Sequence, residues 1–190
     1  MRLGPLPPRA VWRHHTAREA VEVVSREVVA GGVVLHGVVT GVEEGFEFAL
    51  AYEIRVDQGW VTEGAVVRSL LPGGDEVVLG RAADGRWVVD GVPRPDLDGA
   101  VDVDLEASAM TNTLPAHRLD LSDRVAAPAA YVRLDLGVER LEQSYGPAAP
   151  LPDGDHRVAY QAPRFEADFD LTYDASGLVL DYPFLASRLL

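Results

Sequence analysis

The chain contains no cysteine and no lysine, and each absence narrows what the protein can do. Without cysteine it can form no disulfide bond, no thiolate metal site and no cysteine nucleophile. All 17 basic residues are arginine, and 30 acidic residues bring the net charge to −13. This excess of acid argues against nucleic acid as a partner, because phosphate recognition needs a basic surface. It also disfavours docking on anionic membranes.

Long apolar runs are missing as well. No run approaches the roughly 18–20 residues that cross a bilayer. The first fifteen residues carry three prolines where a signal peptide would have its apolar core. We therefore predict a cytoplasmic protein without stable membrane insertion. Its 190 residues suit one domain over 1–190, with 1–15 as a polar N-terminal arm in which His14 and His15 are solvated.

Short β-like segments dominate the rest of the sequence. Valine and aromatic residues cluster in runs bounded by Gly, Pro or Asp, as in all-β domains. Pairs such as Asp84-Gly85 and Ser176-Gly177 supply the positive φ angles that tight hairpins need. The fold class is therefore all-β and mainly antiparallel, with about a dozen or more short strands and little helix. The predicted strands cover 19–30, 33–42, 46–56, 61–71, 76–81, 86–90, 101–108, 131–136, 138–145, 158–162, 165–173 and 178–182.

Three segments fit this pattern less well. Residues 16–29 have apolar spacings that suit a helix face, but their valines and the glycine pair that follows favour a strand. Residues 146–155 are rich in proline and predict a loop of functional or mobile length. Residues 183–190 are expected to form one short helical turn.

The most polar stretch runs from 101 to 121. In its first part Asp102 and Asp104 alternate with apolar residues, so both carboxylates point to one face of a strand. Downstream, Thr and Asn side chains bond back to the backbone, and Pro115 favours an extended Leu114. Together these features predict a strand end with a structural polar corner. We assign to this corner Asp98, Asp102, Asp104, Thr111 and Thr113.

Arg118 follows this corner and can be interpreted in two ways. Its planar fork can pair with Asp102 or Asp104 and lock the corner, or it can bind an anionic head group at the rim of a pocket. The spacing alone is compatible with both interpretations.

Motifs for metal binding and nucleophilic catalysis are missing. The five histidines show no spacing that would place ligands on one face, and GxSxG, P-loop and GxGxxG sequences do not occur. We predict neither a metal nor a cofactor, and no catalytic residue. Ser108 with Asp104 and His117 could be drawn as a triad, but sequence neighbours rarely form one. A plain hydroxyl is the favoured interpretation of Ser108.

Several segments resemble one known family. LDGAVDVDLEASAMTNTLPAHRL (97–119), VAYQAPRF (158–165) and GLVLDYPFLASR (177–188) are similar to sequences of the bacterial glycolipid-binding protein family. YEIRVDQGWVTEGAVV (52–67) and DGRWVVDG (84–91) are similar to it too, so the resemblance covers most of the chain. It implies a spiral β-roll or curved half-barrel, whose antiparallel sheet wraps around an apolar cavity. The chain departs from its relatives at Ala100, where they tend to carry Cys, and at Phe184, where they tend to carry Gly.

The favoured hypothesis is a noncatalytic β-roll that binds a lipid or glycolipid. Acyl chains would lie among aromatic rings inside the cavity, at about 0.8 kcal/mol per buried methylene, and polar groups at the rim would hold the head. The oligomeric state stays open. The expected ligand contacts are Trp60, Trp87, Asn112, Arg118, Tyr145, Tyr160 and Tyr182.

Two other classes of function stay open. A hydrolase or isomerase would use Asp102 or Asp104 with His117 or Arg118, and it would require a carboxylate of raised pKa inside the cavity. A protein-interaction scaffold would instead use exposed sheet edges to pair with another chain.

Overall fold

The structure is a computed structural model that describes residues 3–16 and 18–190. Antiparallel strands dominate it, as predicted. One α-helix, α1 (Thr113–Arg118), and four 3₁₀ turns accompany the strands in the described residues; the turns are Pro95–Leu97, Met110–Asn112, Pro152–Gly154 and Pro163–Phe165. The described residues form seventeen strands: β1 (Arg9–His14), β2 (Glu19–Val29), β3 (Gly32–Glu43), β4 (Phe46–Asp57), β5 (Thr62–Ser69), β6 (Glu76–Arg81), β7 (Trp87–Val89), β8 (Val92–Pro93), β9 (Asp102–Leu105), β10 (Val125–Ala126), β11 (Ala129–Val132), β12 (Val138–Leu141), β13 (Ser144–Pro150), β14 (His156–Ala162), β15 (Ala167–Tyr173), β16 (Val179–Tyr182) and β17 (Ala186–Arg188).

Fourteen of these strands form one curved sheet that does not close into a barrel. Their order is β10-β13-β14-β15-β16-β17-β1-β2-β3-β4-β5-β6-β7-β8, and all the neighbouring pairs are antiparallel. Both edge strands, β8 and β10, are two residues long. Terminal strands this short offer little unpaired backbone of their own to another chain. The predicted all-β, antiparallel and curved fold is confirmed.

A smaller sheet of β9, β11 and β12 packs against this large sheet. Strand β11 is antiparallel to β12 and parallel to β9. Apolar side chains of this region, such as Val103, Met110 and Leu114, belong to the same buried cluster as Trp12 and Ile54 of the large sheet. The chain therefore fills its own interior.

Strand β4 shows why the sheet buries one face. Along Phe46–Asp57 the side chains alternate between buried and more exposed positions, because successive residues of a strand point to opposite faces. Phe48, Leu50, Tyr52, Ile54 and Val56 are the buried set. A second buried cluster lies under β13 to β16 and includes Tyr145, Val158 and Leu171.

The expected N-terminal arm is wrong from residue 9 onward. Strand β1 lies in the middle of the large sheet, paired with both β2 and β17. His14 is 1% exposed, so its predicted solvation is wrong as well. The sequence RAVWRH places Ala10, Trp12 and His14 on one face of a strand, and that face is buried. Residues 1 and 2 of the expected arm lie outside the described residues.

Two other segment predictions are corrected. Residues 146–150, predicted as loop, belong to β13, which pairs with β14; β10 pairs only with Ser144 and Tyr145. Prolines are tolerated there because the strand has no strand neighbour on its other side. Residues 186–188, predicted as helical, form β17. The preference for a strand over residues 16–29 is confirmed by β2, which begins at Glu19.

Leu114 is helical, so its expected extended conformation is wrong. Helix α1 begins at Thr113, and Pro115 is its third residue. Proline is tolerated in the first turn, because the N–H that it lacks has no acceptor within the helix. No helix in residues 3–16 and 18–190 is long and apolar enough to cross a membrane.

Candidate functional site

One pocket, which we call the aromatic pocket, opens between the smaller sheet and strands β14 to β16. Its volume is about 380 Å³, within the roughly 300–1,000 Å³ typical of small-molecule sites. Six of its lining residues are aromatic: Tyr131, Tyr160, Phe165, Phe169, Tyr182 and Phe184. The polar lining residues are Arg18, Glu43, Asp104, Glu106, Ser108 and Asn112. The remaining lining residues are Leu105, Ala167, Pro183 and Leu185.

The rings form a connected cluster because of strand register. Tyr160 and Phe169 are directly paired across β14 and β15, and their centroids lie 5.7 Å apart. The Tyr182 ring on β16 lies 5.9 Å from that of Tyr160 and 5.6 Å from that of Phe169. These distances fall in the range of favourable aromatic pairs. The cluster therefore supplies a preformed apolar wall.

Asp104 is the buried acid of the pocket. It lies on β9, where all four residues are buried, and its Oδ1 accepts a 2.6 Å hydrogen bond from the Thr111 hydroxyl. Burial raises the pKa of Asp104 to about 7, although the Thr111 hydrogen bond works against this rise. At neutral pH the carboxyl group is therefore present both protonated and ionised, so it can donate a hydrogen bond as well as accept one.

A second charged pair borders the pocket. Arg18 Nε lies 3.2 Å from Glu43 Oε2, and Arg18 Nη1 donates a 2.6 Å hydrogen bond to the carbonyl oxygen of Glu106. Burial raises the pKa of Glu43, and the charge of Arg18 opposes this rise. With Asp104 and Glu106, the lining contains three carboxyl groups against one guanidinium. The pocket therefore has an acidic character.

Hydrogen bonds behind the pocket hold two of its polar groups in place. Asn112 Oδ1 accepts a 2.7 Å bond from the Tyr145 hydroxyl, and the Tyr160 hydroxyl donates to Gln143 Oε1 at 3.0 Å. All four side chains are buried. Such locked side chains are typical of sites that bind without rearrangement.

Arg118 pairs with Asp102, which is the first of the two interpretations of Arg118 given above. Arg118 Nε and Nη2 donate to the two Asp102 oxygens at 3.1 and 2.5 Å, and the Asp102 side chain is 1% exposed. Burial raises the pKa of Asp102, which the bonds from Arg118 oppose. Because both arms of its fork hold Asp102, Arg118 does not line the aromatic pocket.

The other residues of the predicted polar corner do not all lie together. Thr111 binds Asp104, as described above. Thr113 is fully buried, and its hydroxyl has no hydrogen-bond partner among the described residues. Asp98 is exposed in the turn before β9, where its carbonyl oxygen accepts a hydrogen bond from Arg140, so it lies outside the corner.

Of the seven predicted ligand contacts, Asn112, Tyr160 and Tyr182 line the aromatic pocket. Trp87 is 1% exposed and donates from Nε1 to the Ala100 carbonyl oxygen at 3.0 Å. Trp60 lies in a turn with φ of 63° and stacks on His117 at 4.0 Å between centroids. Tyr145 is buried behind Asn112. The structure thus does not place Trp60, Trp87, Arg118 or Tyr145 on the pocket wall.

The conceivable triad is not assembled. The Ser108 hydroxyl donates to Glu22, Asp104 binds Thr111, and His117 Nε2 lies 2.9 Å from the Ser176 carbonyl oxygen. Burial lowers the pKa of His117 to about 4, so its ring is neutral at physiological pH and donates to that oxygen. Among the residues the structure describes, no group of three or more His, Asp or Glu side chains is placed to hold a metal ion.

Glu22 is a buried polar residue that the sequence analysis missed. Its carboxylate accepts hydrogen bonds from the Tyr52 hydroxyl at 2.6 Å, the Ala109 N–H at 2.9 Å and the Ser108 hydroxyl. His14 Nε2 lies 3.5 Å away. Strand alternation with buried Ala20 and Val24 was a signal that could have identified Glu22 as inward-facing. Pocket residues Arg18, Glu43, Tyr131 and Phe184 were also missed.

A wide depression of about 400 Å³ also lies on the outer face of β2 to β5. Half-exposed residues such as Val23 and Val38 line it. Tyr52 is the single Tyr, Phe or Trp residue of its lining, so it lacks the aromatic wall of the aromatic pocket.

An open, curved antiparallel sheet with a filled interior and a ring-lined, acidic pocket defines a β-roll protein. The model of the family described as "Putative glycolipid-binding" matches residues 9–188, so the chain belongs to that family. The family resemblance seen in the sequence is confirmed. The crystal structure of a DUF1089 family protein from Pseudomonas aeruginosa is similar, with 26% identity and a TM-score of 0.73 over 94% of this chain and 95% of that one. No curated protein matches the chain.

Proposed function

We propose that this protein binds a glycolipid or related lipid in the aromatic pocket without chemical turnover. The observation that carries the proposal is the convergence of six aromatic rings and fixed polar groups on one cavity of about 380 Å³. Sites for small molecules combine apolar walls with a few placed polar groups in this way. The description of the family, which names glycolipids, supports the same class of ligand.

The proposed contacts revise those predicted from the sequence. Asn112, Tyr160 and Tyr182 are kept, because they line the pocket. Asp104 and Phe169 are added for the same reason. Tyrosine and phenylalanine rings present large apolar faces, and the tyrosine hydroxyl adds a polar edge, so the wall suits an amphipathic ligand.

Mass spectrometry of the organic extract of protein purified without detergent tests this proposal. We expect a stoichiometric lipid or glycolipid from the wild-type protein, and its loss from a Tyr182→Ala variant that keeps the wild-type circular dichroism spectrum. Val28→Ala is the matched control, because Val28 is exposed and does not line the aromatic pocket. A clean wild-type extract, even after incubation with total lipids of the host, would contradict the proposal.

The cytoplasmic location stays a prediction from the sequence. Fractionation of host cells that produce the tagged protein tests it, and recovery of the protein in the periplasmic fraction would contradict it.

A hydrolase is a second candidate, because one observation favours it. Asp104 is a pocket carboxyl group whose raised pKa of about 7 suits a general acid. The partners expected for it, His117 and Arg118, are instead bound to Ser176 and Asp102. Release of nitrophenol from a panel of nitrophenyl glycosides by the wild-type protein, abolished in Asp104→Asn, would establish catalysis. Equal background rates for both proteins would exclude these substrates.

A scaffold that pairs through sheet edges is not favoured. The two terminal strands of the large sheet are two residues long, and β8 includes Pro93, which has no N–H to offer. The part of β13 beyond β10 is also an open edge, but Pro147 and Pro150 interrupt its N–H groups.

A further inference from the structure

We infer that the aromatic pocket takes the uncharged sugar head of its ligand and leaves the acyl chain outside, against Phe165 and Phe184. This inference rests on the proposed function and adds the orientation and the head-group class of the ligand. The orientation is the reverse of the one that the sequence analysis predicted, in which the chains were inside and the head lay at the rim.

The inner wall of the pocket carries four polar side chains beside Leu105, Tyr131 and Tyr160. Arg18, Asp104, Ser108 and Asn112 all line it and are all buried. Each of these groups already has one partner within the protein. A carboxyl group and a guanidinium have further acceptors and donors, and an acyl chain would cover these without pairing them, which is costly. A sugar ring offers several hydroxyl groups that can donate to carboxylates and accept from a guanidinium. The inner wall therefore suits a head group better than it suits a chain.

The mouth of the pocket is its apolar part. Phe165 and Phe184 line the pocket and yet are 47% and 69% exposed. Phe165 closes the 3₁₀ turn before β15, and Phe184 lies in the turn between β16 and β17. The Phe184 ring lies 6.4 Å from that of Phe169, edge to face, so the mouth is continuous with the ring cluster. Exposed rings in this position can cover a chain that leaves the pocket.

The backbone at Phe184 supports a role for its ring. Its φ is 64°, in the left-handed region that a bulky side chain rarely adopts. Such strain persists only where the surrounding structure imposes it, and it is concentrated at functional sites. Here the strained turn carries an exposed aromatic side chain at the mouth of the pocket.

Charge decides which head group fits. Glu43, Asp104 and Glu106 line the pocket with Arg18 as the cation, and Arg18 already contacts Glu43 and the carbonyl oxygen of Glu106. A phosphate or sulfate group would meet the like charge of these carboxylates, and the one guanidinium is already partly neutralised by Glu43. An uncharged, hydroxyl-rich head group meets no such repulsion.

The filled interior leaves little room for chains. In an open roll they would lie under the large sheet, but here Val103, Met110 and Leu114 occupy that space and are fully buried. The pocket volume of about 380 Å³ lies near the lower limit for small-molecule sites, so it suits one ring-sized group.

A chain-length series tests the orientation. We would measure the affinity of the full chain for methyl, hexyl, octyl and dodecyl glycosides of glucose, galactose, mannose and N-acetylglucosamine, below their micelle concentrations. With the head inside, the methyl glycoside of at least one sugar binds and competes with its octyl form. Affinity then stops rising once the chain has passed the mouth. With the chain inside, affinity rises about fourfold per methylene throughout the series, and decanol competes.

Variants separate the mouth from the inner wall. Phe184→Gly is expected to lower the affinity for the octyl glycoside roughly tenfold, because about two methylene groups of the chain would no longer be buried against the ring. The affinity for the methyl glycoside should fall less. Asp104→Leu weakens both glycosides. Val28→Ala, at an exposed apolar position away from the pocket, is the matched control. Equal losses for both glycosides in Phe184→Gly would overturn the inference.

The failures of the two proposals are distinguishable. If octyl glycosides and decanol bind and no methyl glycoside does, the orientation is wrong and the lipid-binding function stands. If phosphatidic acid competes as well as the uncharged glycosides, the head-group class is wrong. If neither the glycosides nor decanol nor the host lipids bind, the proposed function itself fails.

Discussion

The Tyr52 hydroxyl on β4 donates a 2.6 Å hydrogen bond to the Glu22 carboxylate on β2, across the intervening strand β3. Gly37 of β3 is the residue paired with Tyr52. A Cβ atom at position 37 would lie 1.9 Å from Cζ of the tyrosine ring, so the ring passes over the glycine. This contact lets two strands that are not neighbours share one buried hydrogen bond.

Gly37→Ala is therefore expected to destabilise the protein by about 1–3 kcal/mol, the usual cost of an overpacked core position. The added methyl group must displace the Tyr52 ring and weaken its bond to Glu22. Urea unfolding measures the loss. Gly80→Ala is the matched control, because an added Cβ at Gly80 meets no atom within 4 Å. Equal stability of the two variants would show that the ring has room to move.

Removal of Arg118 should be far more costly than removal of an exposed arginine. Arg118→Met leaves the Asp102 carboxylate buried without its partner, which typically costs about 3–5 kcal/mol. The double variant Arg118→Met with Asp102→Asn should recover much of that loss, because no buried charge remains. The free energies of unfolding of the wild type, the two single variants and the double variant form a double-mutant cycle. If the losses of the two single variants simply add in the double variant, Arg118 and Asp102 are not energetically coupled.

Asp104 and His117 should give opposite pH dependences of stability. The folded pKa of Asp104 is about 7, above its ordinary 3.8, so its contribution to the free energy of unfolding falls as pH rises from 4 to 7. The folded pKa of His117 is about 4, below its ordinary 6.5, so its contribution rises between pH 4 and 6.5. In the wild-type protein the two slopes, each at most about 1.4 kcal/mol per pH unit, offset each other there.

Single variants separate the two slopes. Relative to the wild type, Asp104→Asn should become more stable as pH rises from 5 to 7. Relative to the wild type, His117→Gln should lose stability from pH 4.5 to 6. Urea unfolding at several pH values measures both differences. A flat difference for Asp104→Asn would mean that its carboxyl group titrates near 4 in the folded protein.

Phe184→Gly should be more stable than Phe184→Ala by about 1 kcal/mol. Both variants remove the ring, but only glycine adopts a φ of 64° without strain. Because the Phe184 side chain is 69% exposed, loss of its packing costs little in either variant. Thermal unfolding compares the two proteins. An alanine variant as stable as the glycine variant would show that the turn relaxes and that no strain is held there.

Much of the fold was accessible from the sequence. The valine-rich runs and the glycine turns between them predicted the strands, because side-chain alternation and positive φ angles are local properties. The pairing of Arg118 with Asp102 was one of two interpretations that their spacing allowed. The N-terminal strand was missed because its alternation in RAVWRH is short and follows a proline-rich start, although it pairs with β17 from the far end of the chain.

The residues of the aromatic pocket could not be identified from the sequence, because the fold brings them together from distant parts of the chain. Arg18 meets Glu43, Asp104 meets Thr111, and Phe184 meets Phe169, and these residues come from the large sheet, the smaller sheet and the turns. Trp60 and Trp87, the rings most prominent in the sequence, lie elsewhere. The sequence by itself determined most of the strands, the turns between them and the acidic character. Only the tertiary structure decided which faces point inward and which distant side chains converge, because long-range pairing and register set both.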